Sequence, residues 1–219
     1  ALAKRLGIDI DERRLRHAAL LVKTDLLTNM VVEFPELQGV MGGHYLRLEG
    51  AGEDLWTAAR DHYQPIGFDG EIPASDMGRL LGVADRLDTI AGLFGVGEIP
   101  SGSKDPLGLR RAAQAVVKIV AVAGWKLDLE EAISAAIEGL GGVVEAPAAE
   151  TATAVREFMA DRVRRWAPYR WWSRRWCYPC WYCCFVIDPK ISVSQWTVHA
   201  PYPVRRKARS IRPDSPISR

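Results

Sequence analysis

The chain has 219 residues, enough for one domain or a domain plus a tail, and its formal net charge of +2 conceals a break in composition. Residues 1–165 hold 19 Lys+Arg against 25 Asp+Glu, whereas residues 166–219 hold 10 Lys+Arg against Asp188 and Asp214 alone. An acidic first part argues against a general polyanion binder, no apolar run reaches the roughly 20 residues that would span a bilayer, and the absence of Cys before Cys177 fits a cytoplasmic protein.

The first part reads as nearly all helix. Leu15, Ala18, Ala19, Val22, Leu26, Leu27, Met30 and Phe34 recur at helical spacing, and Pro35 resets the chain. A second helix is expected from Glu36 to about Leu48, and a third from Glu53 to Tyr63, stopped by Pro65. Residues 66–73 form a loop punctuated by Gly67, Gly70 and Pro73. Ser75 is then a good N-cap, with Asp76 suited to the positive end of a helix whose wide apolar face runs from Leu80 to Phe94. Asp105 and Pro106 suit the N-cap and first position of the next helix, which Gly124 ends. Asp128 and Glu131 have capping-box spacing for a helix to Leu140, and a last helix starts near Thr153 and runs to Arg165. No alternating strand pattern appears, so the expected fold is all-α.

Three stretches carry a resemblance to a known family. They are Leu21–Gly42, with Asp25, Glu33, Glu36, Gln38 and Gly39; His62-Tyr63-Gln64-Pro65; and Ala84–Ala113, with Asp85, Asp88, Gly102, Lys104, Asp105 and Pro106. Together, in this order and spacing, they resemble the β subunit of the bacterial, heterotetrameric glycyl-tRNA synthetase. Ile66 and Leu107-Gly108 depart from the family pattern, and Gly108 is expected to weaken the first turn of its helix by about 0.5–1 kcal/mol relative to Ala.

The resemblance implies an HD-like helical domain over 1–125, a helical segment over 126–165, and a function in support of another chain. The synthetase α subunit would bind ATP and attach glycine to tRNA(Gly), and this fragment would hold no cofactor and no catalytic residue. The α subunit and tRNA(Gly) are the implied partners, with no membrane involved. Asp85 looks like the distant Asp of the metal-dependent HD phosphohydrolases. Those enzymes also need a His-Asp doublet, and none exists here: His17, His44 and His62 are scattered. No metal is therefore expected, and a phosphohydrolase or a non-enzymatic helical interaction module stand as the alternatives.

Lys104, Arg110, Arg111 and Lys118 are the candidates for touching RNA backbone, against the plainer reading of solvated charge or salt bridges to Asp85 and Asp88. Ser101-Gly-Ser-Lys104 lacks the spacing of a phosphate-binding P-loop. The corner Glu33–Gln38 and the His62-Tyr63-x-Pro65 element read first as structural: a turn set by Pro35, close approach permitted by Gly39 and Gly42, and a helix end with a packed aromatic.

Residues 166–219 read as an irregular, disordered tail rich in Trp, Arg and Cys. Cys177, Cys180, Cys183 and Cys184 match poorly the two separated ligand pairs of structural zinc sites. The composition is what a gene of high GC content yields when read out of frame, and a frameshifted extension is the reading proposed for it.

Overall fold

In the computed structural model of the chain the described residues are 2–100, 105–141 and 146–172, with side chains described through Arg165. They hold nine α-helices and no strand: α1 (Leu2–Arg5), α2 (Glu12–Leu21), α3 (Asn29–Glu33), α4 (Val40–Leu48), α5 (Glu53–Asp61), α6 (Asp76–Gly95), α7 (Leu109–Ala123), α8 (Leu129–Gly139) and α9 (Ala148–Trp172). The all-α expectation is met. Lys104 and Gly102, and the tail beyond Trp172 with its four Cys, lie outside the described residues.

Helix α6 organises the bundle. Ser75 caps it as expected, its side chain accepting from Gly78 N at 3.1 Å. At 20 residues it is about 30 Å long, enough to line two cores. Its first turns place Met77 and Leu81 with Ala18 and Val22 of the α2 region, Leu46 of α4, and Leu55, Ala58 and Ala59 of α5. Further along, Val83, Leu87, Ile90 and Phe94 join Leu109, Ala113, Val116 and Ile119 of α7, Ile133 of α8, and Val155 and Met159 of α9. The second core therefore draws on both sides of residue 125.

The helix expected over residues 15–34 is broken, and the cause is polar. Helix α2 stops at Leu21, and residues Thr24–Leu27 form a 3-10 turn. Thr24 Oγ1 donates to Leu21 O (2.8 Å), and Asp25 O accepts both Thr28 N (3.0 Å) and Thr28 Oγ1 (2.7 Å), so hydroxyl bonds tie down the tightened turn. The break turns Asp25 inward and leaves Leu27 88% exposed, off the stripe that periodicity assigns it. The helix expected from Glu36 likewise begins only at Val40, after a short 3-10 turn Pro35–Leu37, because Gly39 stands at φ 80°.

The start of α7 also differs from expectation. Pro106 lies outside the helix, which begins at Leu109 after Gly108 in the left-handed conformation (φ 69°). Asp105 still serves the first turn, its Oδ2 accepting from Arg110 N at 3.0 Å. Gly108 is thus no helical weak point: L residues are disfavoured in this conformation by roughly 1–2 kcal/mol, so glycine suits the position better than alanine. At the other end of the chain, α9 continues to Trp172, past the Arg165 at which sequence composition placed its end.

Candidate functional site

The motif residues from distant stretches meet where the 3-10 turn at Thr24–Leu27, the start of α4, the end of α5 and the middle of α6 come together. Asp25 is 1% exposed and its Oδ2 accepts from Gly39 N at 2.6 Å. A side chain at Gly42 would press on that carboxylate, with a Cβ 3.2 Å from Asp25 Cγ and Oδ2. Gly39 has a second reason to be glycine, since a Cβ there would stand 2.7 Å from Tyr63 Cδ2 and 2.9 Å from Arg60 O.

His62 follows the last residue of α5 and is fully buried. Its Nδ1 lies 2.8 Å from Ala59 O, the geometry of a ring N–H donating to a carbonyl, and its ring lies 3.8 Å from that of Tyr63. Burial lowers the His62 pKa, and the nearby charges of Lys23 and Arg86 add to that against Asp85. Burial raises the Tyr63 phenol. Gln38 opposes that rise, and Tyr63 Oη, Asp25 Oδ1 and His62 Nε2 have no hydrogen-bond partner among the described residues. Pro65 follows in a cis peptide bond with Gln64 and is buried.

Helix α6 supplies the residues that close this junction. Arg86 donates through Nη1 to His62 O (2.8 Å) and Gly82 O (2.9 Å), and through Nη2 to Tyr63 O (2.6 Å). Gly82 allows the approach, because a Cβ there would stand 2.8 Å from His62 O and 3.0 Å from Arg86 Nη1. Asp85 pairs with Lys23 at 2.5 Å, joining α6 to the end of α2. Asp88 sits at the rim, and desolvation, then the charge of Asp85, raises its pKa.

Neutral His62 makes stability depend on pH. Its folded pKa is lowered, so the unfolded chain, titrating near 6.5, takes up the proton first. The contribution is intact above about pH 6.5 and is lost as pH falls below it. Thermal midpoints measured from pH 8 to 5 should therefore decline for the parent chain below that value, and more shallowly for His62→Gln.

The arrangement is a brace, with most polar atoms engaged by the protein. Among the described residues no three His, Cys, Asp or Glu side chains converge in a geometry able to hold a metal ion. The HD-like Asp85 holds a lysine instead. Lys23 and Arg86, which do much of this holding, carry no motif signal of their own; the four-residue spacing of Gly82 and Arg86 on one helix is the clue that the arginine folds back over the glycine.

The RNA-contact candidates are placed apart from this junction. Lys118 Nζ donates to Phe68 O (2.6 Å) and Gly70 O (2.5 Å), fastening the loop that precedes α6. Arg110 Nη2 reaches Pro100 O at 3.3 Å. Arg111 is exposed. None of the three bridges to Asp85. Glu33 and Glu36 are exposed at the corner before α4. A shallow groove of about 560 Å³ between α2, α5 and the start of α6 is lined by Arg14, Asp54, Arg60 and Asp61. Its charges pair internally, Arg14 with Asp54 (2.5 Å) and Arg60 with Asp61 (2.6 Å).

Fold and site together define an all-α domain strung on one central helix, with a polar junction built to hold backbone in place. The sequence model of the family described as glycyl-tRNA synthetase beta subunit matches residues 1–172. Glycine–tRNA ligase β subunits are similar over the same region: 44% identity over 164 residues in Acidithiobacillus ferrooxidans, 48% over 165 in Anaeromyxobacter sp. strain K, and 43% over 166 in Desulfitobacterium hafniense. These alignments cover 74–75% of this chain and 23–24% of each relative. The chain belongs to the glycyl-tRNA synthetase β-subunit family, and it spans about a quarter of the length of the curated relatives it matches.

Proposed function

We propose that this chain acts as part of the β subunit of a glycine–tRNA ligase, supporting ATP-dependent attachment of glycine to tRNA(Gly) on a separate α subunit, in the cytoplasm. The observation that carries this reading is the family match over residues 1–172, with the motif residues of three separate stretches meeting in one junction. In that junction Asp85 pairs with Lys23, Asp25 Oδ2 accepts from Gly39 N and His62 Nδ1 lies against Ala59 O, while Asp25 Oδ1 and His62 Nε2 have no partner among the described residues. In this reading ATP binds the α subunit, and the chain supplies a rigid scaffold. No helix among the described residues is long and apolar enough to cross a membrane.

The test joins the complete β subunit carrying this segment with its α subunit. The pair should charge tRNA(Gly) with glycine, and deleting residues 1–165 from β should abolish charging. A deletion that charges at the parent rate would sink the proposal. Turnover of a phosphate ester by this chain with manganese would favour the hydrolase reading instead.

A further inference from the structure

The exposed apolar surface of the described residues is concentrated in one short stretch. Of the fourteen large apolar side chains that stand in solvent there, six lie between Leu26 and Val40: Leu26, Leu27, Met30, Val32, Phe34 and Val40. Leu27 and Val32 are the most open, at 88% and 70%. Helix α3 packs against the 3-10 turns on both sides of it, and α4 packs against the first of them, so the stretch forms one lobe. From Leu26 to Phe34 the chain rises only about 15 Å, at helical spacing. Apolar residues exposed singly are ordinary, but a group this dense marks a contact surface.

The lobe is not the unfinished edge of a core. None of the six side chains belongs to either core cluster. Its two ends are nevertheless clamped: Asp25, just before Leu26, accepts from the N–H of Gly39, just before Val40, at 2.6 Å. A continuous helix over residues 15–34 would have kept Leu26, Leu27 and Met30 on one stripe with Ala18 and Val22, which are buried. The break at Thr24–Leu27 gives up that burial within the domain and holds Leu27 in water. A local rule broken without a compensating internal contact points to a contact made outside the domain.

Charge narrows the occupant. No Lys or Arg occurs from Thr24 to Leu46, and Glu33 and Glu36 are exposed on the lobe. An RNA backbone or an anionic lipid surface would meet acid there and no cation. A two-fold pairing of copies would bring the same glutamates toward their own images. A face of another folded unit is left, and the length of the family supplies one. The alignments reach 23–24% of each relative, so about three quarters of such a subunit lies outside the matched region. A unit tethered on the same polypeptide acts at an effective concentration in the millimolar range, so a patch of modest area is enough to hold it. We propose that the lobe Leu26–Val40 is an interdomain contact, covered in the complete subunit by an apolar face of the remaining β polypeptide. The inference rests on family membership and not on the charging reaction.

The test is hydroxyl-radical footprinting read by mass spectrometry, on the present chain and on a complete β subunit carrying this segment, without α subunit or tRNA. Met30 and Phe34 should oxidise readily in the present chain and several-fold more slowly in the complete subunit. Met77 and Met159, each buried in one of the two cores, should stay slow in both and report that the domain is folded. Leu27→Lys in the complete subunit should restore fast oxidation of Met30 and Phe34. The same substitution should leave the thermal midpoint of the present chain unchanged, because Leu27 already stands in water there. Fast oxidation of Met30 and Phe34 in the complete subunit would overturn the proposal. That holds also where adding the α subunit or tRNA(Gly) then slows it, since the cover would be that partner. Protection in the present chain that grows with its concentration would overturn it too, assigning the lobe to a second copy. Charging of tRNA(Gly) by the complete subunit with its α subunit is a separate readout, so the synthetase reading and this contact can fail independently.

Discussion

Ile90→Ala is expected to lower the stability of the chain by about 2–5 kcal/mol, the range for deleting most of a fully buried aliphatic side chain. Ile90 has no exposed surface and sits in the part of α6 that faces α7, α8 and α9. The cavity would open where four helices meet, and none of them can move in to fill it without leaving another partner. Thr89, the neighbour in sequence, lies on the exposed side and donates to Asp85 O at 2.8 Å. Thr89→Ala should stay within about 0.5 kcal/mol of the parent. Thermal and denaturant unfolding followed by far-UV circular dichroism measures both. A loss below about 1 kcal/mol for Ile90→Ala would show that α6 is not the shared core helix described above.

Arg86→Ala is expected to cost about 3 kcal/mol or more. The side chain satisfies the carbonyls of His62, Tyr63 and Gly82, and its removal leaves part-buried acceptors without their charged donor. Burial lowers the Arg86 pKa, and the charge of Asp85 together with these carbonyls offsets that cost. Arg86→Lys should recover part of the loss, since one ammonium can reach one or two of the three acceptors. Amide exchange of residues 62–64 offers a local readout. It should rise in Arg86→Ala more than exchange within α7 does. Uniform protection across both regions would mean that the brace does not hold the end of α5.

Much of the helix content was legible from local rules. Ser75, Asp128 and Gly124 act where their chemistry places them, Ser75 and Asp128 as N-caps accepting from Gly78 N and Glu131 N, and Gly124 as a left-handed C-cap. Three of the errors share one cause. At Asp25, Gly39 and Gly108 a polar or backbone requirement set by distant residues overrode periodicity. Asp25 turned inward to meet Gly39, and Gly108 took a conformation open to few other residues.

The candidate site was legible in its members but not in its chemistry. Asp25, Gly39, His62, Tyr63 and Asp85 stood out in the sequence, yet spacing alone could not say whether they faced a ligand or one another. Lys23 and Arg86 decide that question, and each acts through a partner at long range. Lys23 meets Asp85 across α6, and Arg86 reaches back to residues 62 and 63.

Amphipathic period, capping chemistry and glycine and proline placement are properties of short windows, so the sequence by itself determined the all-α class, the bounds of α5, α6 and α8, and the family. Which face of each helix meets which neighbour is a property of pairs far apart in the chain. Only the tertiary structure decided that α6 serves two cores and that the motif residues brace a junction.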